Sequence, residues 1–252
     1  MDIGKLKIDL PQTDKAWQYL LALKVMGTEN TNEYDLWSYP AKDQLKELKK
    51  GIVITRQLTD EVEKQLNRGA SVLWMPDSAS MPNTVGGLYQ TDYWNYRMFK
   101  TICENNKKTP SPGTLGILTD PNHPIFNEFP TEEHTNWQWF PIIKNSRPLI
   151  LDQLAKDYRP VIQVIDNIER NHKLGLVMEF RIGQGRLLIC MSDLEKASAY
   201  PEGKQFYRSV LSYMHSGAFK PELSMTPELL KSVLNTQVTE GKIKELNNIS
   251  PY

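Results

Sequence analysis

Within about two dozen residues the chain changes its hydrophobic period twice, and this passage restricts the possible folds more than any other. Gly51-Ile52-Val53-Ile54-Thr55 is a short β-branched run, and Ser71-Val72-Leu73-Trp74-Met75 is a second apolar run closed by Pro76. Between them Asp60-Glu61-Val62-Glu63 reads as a helix start with an acidic N-cap, Val62 and Leu66 fall at helical spacing, and Gly69 supplies a stop. Two strands joined through a helix with short joints predict a right-handed crossover, and hence parallel neighbours in one sheet.

Further apolar runs continue this grammar. Leu115–Leu118, Pro148–Leu151 and Val161–Ile165 read as strands, and Thr91-Asp92 reads as the cap of a helix carrying Trp94, Met98, Phe99 and Ile102. Leu174–Ile182 and Arg186–Met191 flank Gly183-Gln184-Gly185 as a hairpin. Pro201 opens an amphipathic helix with Phe206, Val210, Leu211 and Met214 on its inner face, and Thr226-Pro227-Glu228 caps a last short helix. The pattern predicts an α/β fold: an open, mostly parallel sheet with flanking helices. Ahead of it, Lys5–Leu10, Trp17–Val25 and Tyr34–Pro40 read as antiparallel strands of a β-sandwich-like segment, too few to stand as a sandwich alone. The expected division is 1–41 for these strands, 42–220 for the α/β domain and 221–252 for a helical tail.

Charge excludes two classes of partner. Thirty Lys and Arg balance thirty Asp and Glu, so the chain lacks the basic surplus that nucleic acid or anionic lipid requires. No apolar run approaches the roughly 20 residues of a membrane span. The opening MDIGKLKIDL has no apolar core of signal-peptide type. Two cysteines cannot build a disulfide framework. Cys103, in a helical run, and Cys190, in an apolar strand, both read as core thiols.

Candidate chemistry is sparse. Asp77, Asp120, Asp166 and Asp193 each follow a strand, and in a parallel sheet they would line one rim, where open α/β sheets bind ligands. Asp is equally common as a strand-end and capping residue, which is the favoured reading here. Asp120, His123, Glu132, Glu133 and His134 are metal-capable but lack a tight ligand spacing; a turn at Asn122-His123-Pro124 is favoured, with His134 fixing the loop by a hydrogen bond. Gly183-Gln184-Gly185 precedes no helix that could hold a phosphate. Neither cysteine nor any serine sits in a small-residue elbow suited to a nucleophile. Tyr93-Trp94-Asn95-Tyr96 and Asn136-Trp137-Gln138-Trp139-Phe140 combine aromatic faces with amides, which suit either sugar stacking or packing. As a strand, the second stretch would put Trp137 and Trp139 on one face. Phe129, Trp137, Trp139 and Phe140 predict an ordered loop over about 129–140, packed on the sheet with at least one tryptophan buried.

Several of these stretches carry a resemblance. Tyr34-Asp35-Leu36-Trp37-Ser38-Tyr39-Pro40 resembles the closing strand of β-sandwich segments in large bacterial family 2 glycoside hydrolases of the β-galactosidase type. Thr91–Tyr96, Leu118–Pro124, Phe129–Trp139 and Arg159–Asp166 are similar to the C-terminal region of those enzymes, notably from gut Bacteroidetes. The resemblance covers most of residues 30–220. It implies a flavodoxin-like domain of the class I glutamine amidotransferase and ThuA-like type. The amidotransferase Gly-x-Cys-x-Gly elbow and its His-x-Glu partner are missing, so that activity is not expected. No catalytic barrel is present, so no catalytic pair carries over.

The chain is therefore expected to be a non-catalytic C-terminal accessory region of a glycoside hydrolase acting in carbohydrate degradation. It would need no cofactor or metal, and would partner the catalytic barrel of a secreted or periplasmic parent or form a homo-oligomer. The alternatives are a carbohydrate-binding module using Trp94, Asn95, Asn136, Trp137 and Trp139, or a self-contained hydrolase using the strand-end carboxylates or Asp120, His123 and His134.

Overall fold

Trp17–Lys24 (β1) and Thr31–Ser38 (β2) form an antiparallel two-stranded sheet of their own. The computed structural model that shows this describes residues 5, 7–86, 96–107, 113–167 and 170–235. Of Lys5–Leu10, read above as a strand, residues 5 and 7–10 are not in one and pair with no strand among the described residues, since alternation makes a strand only where a neighbour accepts its backbone hydrogen bonds. Tyr39 anchors the end of the hairpin to the rest of the chain. Its ring stacks on Phe129 and its hydroxyl donates to Gln138 Oε1 at 3.0 Å.

After a short helix, Leu45–Leu48 (α1), comes the predicted crossover: Val53–Thr55 (β3), Asp60–Asn67 (α2) and Ser71–Trp74 (β4), with β3 and β4 parallel neighbours. Thr59, not Asp60, is the N-cap of α2, its hydroxyl accepting from the Val62 amide at 3.4 Å. Asp60, Glu61 and Glu63 instead occupy the first turn, where the helix dipole favours them. Val62 and Leu66 are buried against the sheet, as their spacing requires.

The remaining elements are Tyr96–Asn105 (α3), Gly116–Thr119 (β5), Phe140–Lys144 (α4), Leu149–Ile150 (β6), Ile162–Ile165 (β7), Lys173–Ile182 (β8), Gly185–Cys190 (β9), Leu194–Ala197 (α5), Pro201–His215 (α6) and Pro227–Asn235 (α7). The main sheet runs β3-β4-β9-β8-β7-β5, with β6 beside β8. Only the pairings of β3 with β4 and of β4 with β9 are parallel; those of β9 with β8, β8 with β7, β7 with β5 and β6 with β8 are antiparallel. The fold is thus mixed α/β, and the expectation of a mostly parallel sheet holds for one half of it. The reason is connection length. A parallel return needs a crossover of about a dozen residues or more, whereas β8 reaches β9 through Gly183 and Gln184 alone, with Gly183 at φ +57°.

The core is continuous across both halves, with Leu73, Leu176, Leu187, Leu188 and Ile189 fully buried. Phe206, Val210, Leu211 and Met214 of α6 are buried, as predicted. Helix α7 begins with the Thr226 hydroxyl accepting from the Leu229 amide at 3.2 Å, and buries Leu230, Val233 and Leu234. It is tied down by Asn83, which donates to the Val233 carbonyl, and by Lys231, 2.6 Å from Glu63. Helix α3 departs from expectation at Cys103, read above as a core thiol. Met98 and Ile102 are exposed and Cys103 is only partly covered, while Trp94 lies outside the described residues. Cys190 is fully buried, and burial pushes its thiol up to about 12.

Candidate functional site

The strand-end carboxylates do not gather into a reactive rim. β7 runs with β9, so Asp166 and Asp193 share an end of the sheet with Asp77; β5 runs the other way and sends Asp120 to the opposite end. Asp193 caps α5, accepting from the Lys196 amide at 3.2 Å and from Arg56 at 2.8 Å. Burial works against its charge, but these bonds win and hold its carboxyl below the usual range. Asp166 is buried beneath Arg170 at 2.6 Å and also accepts from the amides of Asn167 and His172. Both are structural anchors.

The aromatic loop is ordered, and it separates the two tryptophans that a strand would have paired. Residues Trp137–Trp139 form a turn of 3₁₀ helix, in which each residue advances about 120°, so positions two apart point to different sides. Trp139 is fully buried, with its ring edges against Phe126, Phe129 and Phe206 and its indole N–H donating to Thr131 Oγ1 at 2.9 Å. Trp137 is 84% exposed. Asn136 donates to Glu132 at 3.0 Å. The loop therefore packs on α6 through Phe206 as much as on the sheet. His134 contributes a backbone bridge to Leu118, and its side chain is exposed; it is not the loop's hydrogen-bonding fixture. Trp94 and Asn95 lie outside the described residues. Among the described residues no group of three His, Cys, Asp or Glu side chains is placed to hold a metal.

A cavity lies where the sheet is antiparallel. A cleft of about 770 Å³ opens over β5, β7 and β8 beside the C-terminal end of α6, a volume within the range of small-molecule sites. Glu179, from β8, accepts from the Tyr213 hydroxyl of α6 at 2.7 Å. Burial raises the Glu179 carboxyl above the usual range; the Tyr213 bond works the other way, and Glu222 adds to the rise. The Tyr213 phenol is raised by burial and by its tie to Glu179. His123 lies edge-on to Tyr213 at 5.3 Å, and burial lowers its pKa against the opposing pull of Asp120. Its Nδ1 accepts from the Ile125 amide at 3.3 Å, so in the neutral ring the proton sits on Nε2. Tyr158 lines the cleft and stacks on Phe180.

Around this floor the lining alternates in hydrogen-bonding sense: Asp157 and Arg159 on one wall, Lys220 and Glu222 on another. Among the described residues Arg159 donates only to the carbonyls of Lys156 and Tyr158, and none of these four side chains forms an ion pair. Of the residues singled out from sequence, Asp120 and His123 reach this cleft, while Trp137, Trp139 and Asn136 do not line it. Glu179 and Tyr213 were missed. The available signal was a single acid within the apolar strand Leu174-Gly175-Leu176-Val177-Met178-Glu179-Phe180.

Comparison with known proteins assigns most of the chain to one family. A family model described as a domain of unknown function, DUF8487, matches residues 53–235. The chain belongs to the DUF8487 family. A second model, the domain of unknown function DUF8488, matches residues 1–40, so the boundary between the two falls where the β1–β2 hairpin meets the DUF8487 region. No curated protein matches. Among solved structures, a cytoplasmic protein from Salmonella typhimurium is similar at 10% identity and a TM-score of 0.28, over 79% of this chain and 96% of that one. No helix among the described residues is long and apolar enough to cross a membrane.

Proposed function

We propose that the chain is a non-catalytic accessory region of a carbohydrate-degrading protein of the family 2 glycoside hydrolase type, and that its cleft holds a polyhydroxylated ligand. The observation that carries the ligand is the lining. Arg159 and Lys220 only donate, Asp120, Asp157 and Glu222 only accept, and none is ion-paired among the described residues. A sugar hydroxyl does both, so vicinal hydroxyls satisfy such neighbours together. Leu118, Leu223, Pro124 and Pro160 offer apolar patches for the C–H faces of a ring. The accessory role is supported by the stretches resembling β-galactosidase-type C-terminal regions and by the lack of a nucleophile elbow. The parallel β3, β4 and β9 support a flavodoxin-like, amidotransferase-related origin. The partner on this reading is the parent's catalytic barrel, outside the cytoplasm, and no cofactor takes part.

A second reading places the sugar on Trp137, favoured by that ring's exposure beside Asn136. Calorimetric titration with galactose, lactose and longer β-galactosides separates the two. Saturable binding lost in Lys220→Ala or Glu222→Ala and kept in Trp137→Ala is the expected result. Loss in Trp137→Ala alone moves the site to the loop, and no saturable binding by the folded chain refutes both. Turnover of an aryl β-galactoside by the purified chain, abolished by a substitution within it, would refute the non-catalytic role.

A further inference from the structure

The geometry points to a second copy of this chain as the occupant of the free edge of β1, paired antiparallel about a dyad at Leu21. The inference is independent of the cleft. The hairpin is a sheet of two strands only, and among the described residues neither outer edge is paired. Such a hairpin is marginal in water, whereas three or more strands are stable. Its alternation makes one face apolar: Trp17, Tyr19, Leu21 and Leu23 from β1, with Tyr34 and Leu36 opposite Leu21 and Tyr19. Trp17 is 54% exposed and Leu20, on the other face, 60%.

The two edges differ in charge, and this selects β1. β2 carries Glu33 and Asp35. A dyad at Glu33, Tyr34 or Asp35 would set carboxylates opposite one another, which is destabilising. β1 carries a single charge, Lys24, at its end. A long, largely apolar strand edge with its one charge at the end and no proline or bulge is a pairing template that proteins do not leave open. A dyad at Leu21 sets Leu21 on Leu21, Tyr19 on Leu23 and Trp17 on Val25, keeping the apolar face continuous across four strands. It also sets Leu20 on Ala22 and Gln18 on Lys24, so no like charges meet. The interface is self-complementary, as a two-fold dimer requires.

Sedimentation velocity of the full chain over a range of concentrations tests this. A dimer is expected, with a dissociation constant raised on the order of 100-fold by Leu21→Asp, which opposes two carboxylates on the dyad. Glu33→Gln on the other edge should leave it unchanged. Because Leu21→Asp could loosen the hairpin itself, register is read separately. In a Cys103→Ser background, Leu21→Cys should oxidise to a covalent dimer and Leu23→Cys should not, since residues facing each other across antiparallel strands lie within disulfide reach. A monomer at all concentrations, a dimer indifferent to Leu21→Asp, or cross-linking through position 23 instead of 21 would each overturn the proposal.

Discussion

Truncating Trp139 should cost the whole protein stability, while truncating Trp137, two residues away, should cost almost nothing. Trp139 is fully buried, its ring meeting Phe126, Phe129 and Phe206 at centroid distances of 6.1, 5.2 and 5.2 Å, and its indole donates to Thr131 at 2.9 Å. Replacing a buried tryptophan by alanine removes its transfer free energy and leaves a cavity, together about 3–5 kcal/mol. A domain of this size loses roughly 2–4 °C of melting temperature per kcal/mol, so Trp139→Ala should lower it by roughly 6–20 °C. Trp139→Phe keeps a ring and loses the hydrogen bond, at a cost of about 1–2 kcal/mol. Trp137 is 84% exposed, and Trp137→Ala should stay within about 0.5 kcal/mol of the parent. Because Phe206 belongs to α6, the loss should appear in global unfolding, followed by far-UV circular dichroism in urea, and not only in local fluorescence. Equal costs at the two positions would mean that they share a face, which would refute the 3₁₀ geometry.

Two further expectations concern titratable groups. Burial raises the Glu179 carboxyl, so the folded protein keeps a proton that the unfolded chain has released; stability therefore falls as pH rises from the ordinary carboxylate range through the raised value. Glu179→Gln should remove that fall, so its melting temperature should gain on the parent across this interval and run level above it; an unchanged difference from pH 4 to pH 8 would contradict the assignment. Cys190 is fully buried and pushed up to about 12, whereas Cys103 is partly exposed; a thiol reagent at pH 8 should modify Cys103 in the native protein and Cys190 only after denaturation, and rapid native labelling of Cys190 would refute its burial.

Much of the fold was legible because local pattern and tertiary environment agree there. β3, α2 and β4 follow from period and joint length, the β8–β9 hairpin from its glycines, and the inner face of α6 from the spacing of Phe206, Val210, Leu211 and Met214. What escaped was direction. Nothing in Gly116–Thr119 says which way β5 will run, because an isolated apolar run has no polarity of its own; its orientation is set by β7, some forty residues on. The loop failed similarly. Trp137 and Trp139 read as a strand pair only if the backbone is extended, and Trp137-Gln138-Trp139 instead winds into a 3₁₀ turn before Pro141 at the start of α4.

The same reversal of β5 creates the cleft. In an all-parallel sheet Asp120 would have joined Asp166 and Asp193 at one end, where those two are spent on Arg170, Arg56 and a helix cap. Running antiparallel, β5 delivers Asp120 and His123 to the other end, where the floor is Glu179 of β8 and the wall is Tyr213 of α6. Glu179 is buried enough to have its carboxyl raised, yet it lines the cleft. A carboxyl in that position without a cationic partner costs stability that a sealed apolar residue would not. On the proposed reading, a ligand hydroxyl entering the cleft would complete the hydrogen bonding of Glu179, and the reversal of β5 would be what brings Asp120 and His123 beside it.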